Sequence, residues 1–100
     1  SCGLFVKCYL DDISAIFFVT EYTDTIQRHH LRGEFYEDHE LRMMRKYFGG
    51  GIFVDVGCNV GNHSIYFASL ENCRSVIAFE PNPKVHGSYC NPPIHRNNCL

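Results

Sequence analysis

The sequence predicts an α/β fold, a β-hairpin and a helix followed by a strand–helix–strand (βαβ) unit. Three observations carry that expectation. Two runs rich in β-branched and aromatic residues, Leu4–Leu10 and Ile13–Thr20, are separated only by Asp11-Asp12. An amphipathic stretch, Tyr36–Phe48, runs straight into Gly49-Gly50-Gly51. Beyond it, two short apolar runs, Ile52–Val56 and Ser75–Phe79, flank a glycine loop and a second helical stretch.

The elements follow in order. The first two runs, joined by a two-residue polar link, read as a hairpin. Glu21–Gly33 is polar and holds His29-His30, which reads as a connector with a helical turn. In Tyr36–Phe48, Leu41, Met44 and Phe48 recur at helical spacing and Tyr47 widens the stripe, the pattern of plain core packing. Glu37, Asp38 and Glu40 crowd its start and Arg42, Arg45 and Lys46 its end, which complements the helix dipole. The glycine triplet then stops it. Ile52–Val56 carries no polar residue except Asp55, as expected of a parallel strand buried on both faces. Gly57–Gly61 is a tight loop, Asn62–Leu70 a helix with Gly61 or Asn62 near its cap, Glu71–Arg74 a turn, and Ser75–Phe79 a second buried strand. After Glu80-Pro81-Asn82-Pro83 a helix is expected to begin within Lys84–Cys90 and to break at Pro92-Pro93. The organisation expected is a hairpin and connector over 1–33 and an incomplete Rossmann-like unit over 34–100.

Composition bounds the function. With 100 residues, 45% hydrophobic and 20% charged, the chain is globular and has room for little more than one domain. A formal charge of −2 argues against a nucleic-acid surface. The longest apolar run, Ala15–Val19, falls far short of the ~20 residues of a membrane span. No basic-then-apolar leader is visible, so the six cysteines (Cys2, Cys8, Cys58, Cys73, Cys90, Cys99) are expected to be reduced thiols in a cytoplasmic protein. The first residue is Ser1 rather than Met, which reads as an internal start.

The chemistry is concentrated in one loop. A strand feeding a glycine loop and then a helix presents backbone N–H groups to a ligand, and glycine lets that ligand approach the main chain. An acid at the end of the second strand can accept hydrogen bonds from both hydroxyls of a ribose. Glu80 follows Gly61 by 19 positions, close to the spacing of about 20 that such a unit uses. A dinucleotide site would read G-x-G-x-x-G, whereas this loop reads D-x-G-x-x-x-G from Asp55 through Gly57 to Gly61, with Asn59 where the middle glycine would stand. A phosphate-binding P-loop is excluded because no G-K-[ST] follows. The pattern suits a nucleoside cofactor with a charged amino-acid tail and no phosphate, S-adenosylmethionine. Asp55 is placed to orient the loop and face the ammonium of the methionine part, while Gly57 and Gly61 let the chain wrap it. Taken singly these features are ordinary, since many strand–helix turns carry glycines; it is their common register that gives the reading weight.

The run Phe53-Val54-Asp55-Val56-Gly57-Cys58-Asn59-Val60-Gly61-Asn62-His63-Ser64-Ile65-Tyr66-Phe67-Ala68 resembles the first motif of the FkbM-type methyltransferase family, and Val76-Ile77-Ala78-Phe79-Glu80-Pro81-Asn82-Pro83 resembles its second. Phe35-Tyr36-Glu37 is similar to its lead-in. The resemblance covers residues 34–83. It implies a class I methyltransferase fold, a twisted, mostly parallel sheet with helices on both faces. It also implies methyl transfer from S-adenosylmethionine to a hydroxyl of a sugar, glycan or other small natural product. Asp55, Gly57, Asn59, Gly61 and Asn62 would line the methionine and ribose side, and Glu80 would hold the ribose hydroxyls. Cys58 stands where the family usually has alanine, a small exchange. After Pro83 only echoes of the family's Asn-Ile-x-Leu-Asn-like run remain.

In that family the acceptor-side residues lie beyond the second motif, so the chain is expected to be an N-terminal fragment with no identifiable catalytic base and no turnover of its own. His63 reads as a solvent-facing residue of the first helical turn rather than a base. An apolar parallel strand with an open edge invites self-association, so a homo-oligomer through that edge is expected. The alternative is a non-catalytic binding or dimerisation module. A weaker one is a metal-binding tail built on His86, Cys90, His95 and Cys99, whose spacing matches no established zinc pattern. His29-His30 is weaker still as a ligand pair, because adjacent side chains diverge.

Overall fold

Among the described residues seven elements follow one another as β1 (Leu4–Leu10), β2 (Ile13–Val19), α1 (Thr25–Leu31), α2 (Asp38–Tyr47), β3 (Gly51–Val56), α3 (Asn62–Ala68) and β4 (Cys73–Phe79). The computed structural model describes residues 2–82. The expected helical start at Lys84–Cys90, the break at Pro92-Pro93 and the His/Cys tail lie outside the described residues. The architecture is a small α/β fold with two two-stranded sheets, β1–β2 and β3–β4. No helix among the described residues is long and apolar enough to cross a membrane. The chain forms two compact units that divide between Lys46 and Tyr47, so α2 falls almost wholly with the hairpin and not with the βαβ unit that the sequence joins it to.

In the first unit β1 and β2 pair antiparallel from Leu4↔Val19 to Leu10↔Ile13 across Asp11-Asp12. Asp11 takes the left-handed conformation (φ 54°), which aspartate tolerates better than most residues. The period of two sends Cys8, Leu10, Ile13, Phe17 and Val19 into the core and leaves Phe5, Tyr9, Ile16 and Phe18 outside. Opposed across the strands, Phe5 and Phe18 approach to 4.7 Å between ring centroids, a cross-strand pair.

The polar connector holds a helix of seven residues, α1, longer than the single turn expected. Its signals are polar. Asp24 caps it by accepting the Gln27 amide at 2.9 Å. Gln27 Oε1 then accepts the amides of Thr20 (2.8 Å) and Glu21 (3.1 Å), tying the exit of β2 to the helix. His30 is buried and stacks on Phe17 at 3.8 Å, and Phe17 meets Phe35 edge-on at 5.4 Å. The Cys8 thiol donates to the His30 carbonyl at 3.3 Å. Burial, helped by the charge of Glu34, pushes that thiol up to about 11.

Helix α2 starts at Asp38, later than Tyr36, because Glu37 sits at φ 58° and cannot join a right-handed helix. The expected core stripe needs correction. Leu41 is fully buried, but Met44 is 36% and Tyr47 74% exposed, and Phe48 lies past the helix end. The stripe therefore narrows to one residue, and Phe48 is used in the second unit instead. On the polar side Arg42 donates to both carboxylate oxygens of Asp11 (2.8 and 3.2 Å) and Arg45 to both of Asp12 (2.6 and 3.0 Å). These bonds hold both carboxyls below their ordinary value.

In the second unit β3 and β4 pair in parallel, from Ile52↔Ser75 to Val56↔Phe79, with α3 as the crossover. Helix α3 ends two residues before Leu70, and β4 begins at Cys73, inside the expected turn. Phe67 of α3 lies flat on Phe53 (3.9 Å, 3° between planes), and Phe48 meets Phe67 edge-on at 5.3 Å. Tyr66, Phe67, Val76 and Ala78 complete this core. The expectation that β3 is buried on both faces is corrected. Its exposure alternates, because α3 covers only the face of Phe53 and Asp55. Ile52 (47%), Val54 (53%), Val56 (79%) and the paired Phe79 (38%) stay exposed on the other face. A largely apolar strand composition therefore records what the sheet face could pack against, not what packs on it among the described residues.

Candidate functional site

The parallel register of β3 and β4 fixes where the site residues fall. Asp55 pairs with Ala78 and Val56 with Phe79, so Asp55 and Glu80 both come to the carboxyl ends of adjacent strands. In an open α/β sheet that end is where ligands bind. The loop between β3 and α3 crosses the same end.

Glycine is needed here for backbone conformation. Gly57 adopts φ 75° and Gly61 φ 89°, and Asn59 between them stands at φ 53°. A side chain at Gly57 would meet no atom within 4 Å, so the left-handed dihedral rather than crowding requires glycine there. Backbone bonds tie the loop to the second strand, as the amides of Gly57 and Cys58 both donate to the Phe79 carbonyl (2.7 and 3.0 Å). The Gly61 amide closes the turn on Cys58 (2.9 Å), and Ile65 bonds back to Gly61 (2.8 Å) to begin α3. Cys58 is buried, which explains why a small side chain stands at that point of the loop.

Two carboxylates complete the arrangement. Glu80, half-buried, accepts the Asn59 amide on Oε1 at 2.6 Å and the Asn82 amide on Oε2 at 2.9 Å. It thereby clamps the middle of the loop to the end of β4. Asp55, also half-buried, accepts the Ser64 hydroxyl at 2.6 Å. Gly61 and Asn62 are buried at the start of α3, while Gly57 is exposed. The structure thus brings Asn59 and Glu80 into direct contact and puts Asp55, Gly57, Gly61 and Asn62 on or beside one loop. Asp55 bonds to α3 rather than to Glu80. His63 is half-buried in the first turn of α3.

Ser64 is the residue that sequence reasoning missed. It is wholly buried and, with Asn62, one of two buried polar residues of α3. A serine one residue before the apolar run Ile65-Tyr66-Phe67 of α3 was the available signal.

Elsewhere, the first unit has a cavity of about 300 Å³ lined by Tyr9, Asp11, His29, Glu34, Glu37 and Arg42 among others. Its charges pair with one another, Arg42 with Asp11 and Asp38, and His29 with Glu34. No group of three or more His, Cys, Asp or Glu side chains is arranged to hold a metal ion among the described residues. His29 and His30 diverge, one at the surface beside Glu34 and one buried against Phe17. Cys2, Cys8, Cys58 and Cys73 are free thiols; burial raises the Cys73 thiol as well.

No family model, curated protein or solved structure matches the chain.

Proposed function

We infer that the second unit is the opening βαβ portion of a Rossmann-like, class I methyltransferase fold and that its glycine loop binds S-adenosylmethionine. The observation that carries the reading is the Glu80 clamp, an acid at the end of β4 in direct contact with the centre of the β3–α3 loop. A carboxylate offers about four acceptor positions, so Glu80 can hold its two backbone amides and still accept ribose hydroxyls. The open space over Gly57 suits close approach of a ligand to the main chain. Asp55 is the acid available to a cationic amino-acid tail, and Asn59, Gly61 and Asn62 line the same loop.

When bound, S-adenosylmethionine supplies an activated methyl group on a sulfonium. The chain's own residues orient it: Glu80 by the sugar, Asp55 by the amino-acid end, and the loop backbone between them. Alignment of a hydroxyl acceptor with the methyl would contribute most of the rate, with a base to take the proton. The acceptor is proposed to be a hydroxyl of a sugar or other small molecule, as the family resemblance implies. No residue here is assigned as that base.

Calorimetric titration with S-adenosylhomocysteine tests the reading. Saturable binding by the full chain, weakened at least tenfold by Glu80→Ala, supports it, since a pair of hydrogen bonds to a carboxylate is worth about that or more. No heat of binding at millimolar ligand contradicts it. A second reading, a non-catalytic module that self-associates at the open sheet, is favoured by the exposed Ile52, Val54, Val56 and Phe79. A concentration-dependent dimer in sedimentation that is lost in Val56→Lys, together with no cofactor binding, would favour it instead.

A further inference from the structure

The Asp55 carboxylate is gripped by a group outside the loop. Ser64 Oγ donates to Asp55 Oδ2 at 2.6 Å, the length of a charge-assisted hydroxyl–carboxylate bond. Ser64 is 0% exposed, so no water competes for its single proton. The bond spans two elements: Asp55 lies at the end of β3, and Ser64 is the third residue of α3. Both sit on the face where Phe67 stacks flat on Phe53, so the helix cannot rotate the hydroxyl away without breaking that stack. A carboxyl group is otherwise soft about its last side-chain torsion. One short bond from a buried donor fixes its plane and leaves acceptor capacity on the group.

We propose that Ser64 is a positioning residue of the cofactor site, holding the Asp55 carboxylate in the one orientation that receives the cationic amino-acid end of the ligand. The inference rests on the S-adenosylmethionine reading and deepens it, because it divides the ligand. Ser64 matters for the amino-acid tail and not for the nucleoside. A purely structural bond, fastening α3 to β3, would matter for both alike.

Two ligands separate these roles: S-adenosylhomocysteine, which carries the amino-acid tail, and 5′-methylthioadenosine, which shares the nucleoside and thioether but lacks the tail. Calorimetry on the full chain gives the ratio of the two affinities. Ser64→Ala removes one oxygen and introduces a better helix former. It is expected to weaken S-adenosylhomocysteine by roughly tenfold, because the ligand's charge-assisted bond to Asp55 loses its fixed geometry, and to leave 5′-methylthioadenosine unchanged. Ser64→Thr keeps the hydroxyl and is expected to keep the wild-type ratio even if both affinities fall. Ser69→Ala removes a different hydroxyl bond at the opposite, C-terminal end of the same helix, to the Ile65 carbonyl at 2.8 Å, and is expected to alter neither ligand. Equal loss of both ligands in Ser64→Ala, loss of neither, or a Ser64→Thr ratio matching that of Ser64→Ala overturns the proposal. Failure of the wild-type chain to bind either ligand overturns the cofactor reading itself and this inference with it, an outcome distinct from any seen in the variants alone.

Discussion

The two units solve the same problem, a two-stranded sheet with too little cover, in opposite ways. The hairpin unit turns its polar groups inward and satisfies them. Gln27 takes two backbone amides, Asp24 caps α1, and Cys8 bonds the His30 carbonyl beneath the Phe17 stack. The βαβ unit instead packs an apolar face with the Phe48, Phe53 and Phe67 rings and gathers its polar groups at one end of the sheet. There three backbone positions hold φ above +50°, Glu80 is anchored by two backbone amides and Asp55 by the Ser64 hydroxyl. The contrast teaches where function concentrates. Strained backbone and partly satisfied acids cost stability and are kept where a ligand repays them. In the hairpin unit the positive-φ residues Asp11, Gly33 and Glu37 fall in separate turns, and both oxygens of the Asp11 carboxylate are taken up by Arg42.

The largest expected effect attacks the apolar core of the βαβ unit. Phe67→Ala should cost about 3–5 kcal/mol, because a fully buried ring stacked on Phe53 leaves a cavity that the short helix cannot close. Denaturant unfolding followed by near-ultraviolet dichroism reads it; a loss under about 1 kcal/mol would mean the stack contributes little. The counterpart in the hairpin unit is polar. Gln27→Ala should cost about 1–3 kcal/mol by stranding the Thr20 and Glu21 amides. Gln27→Glu, which keeps the acceptor, should recover most of it. If Gln27→Ala is neutral in the same unfolding measurement, the two units do not differ as described.

Smaller still is the backbone effect at the loop. Gly57→Ala should cost about 1–2 kcal/mol from the left-handed dihedral alone, since no atom crowds the added methyl. The same substitution at Gly49, where the left-handed conformation is not adopted and space is also open, should cost nothing of this kind. The smallest effect concerns the exposed Arg42–Asp11 and Arg45–Asp12 pairs. Their carboxyls titrate below the ordinary value of 3.8 when folded, so their contribution is present above that value and lost as pH falls below it toward the lowered folded values. Exposure and salt screening keep it small. A double variant, Arg42→Ala with Arg45→Ala, should flatten the unfolding-midpoint profile below pH 3.8. An unchanged profile would show that the pairs do not set it.

Much of this contrast was legible in the residues themselves. Strands β1 and β3 and the loop could be read because runs of apolar, β-branched and aromatic residues and glycine spacing are local. Asp55 and Glu80 could be placed together because a parallel register brings strand ends to one side. Helix α1 was legible only as a turn, since its inward residues are Gln27 and His30 and carry no apolar period. The open face of β3 was not legible at all, because composition says what a strand can bury and not whether a neighbour arrives. Ser64 was hidden for the reverse reason: its importance lies in a bond to a residue nine positions earlier on another element.

The central claim is that the ligand site belongs to the βαβ unit and centres on the Glu80 clamp. Amide shift perturbation in ¹H–¹⁵N spectra on adding S-adenosylhomocysteine tests it most directly. Saturable shifts are expected at Gly57, Cys58, Asn59, Gly61 and Asn82, with the amides of β1, β2 and α1 unmoved. Shifts confined to the hairpin unit, or none at millimolar ligand, would contradict it.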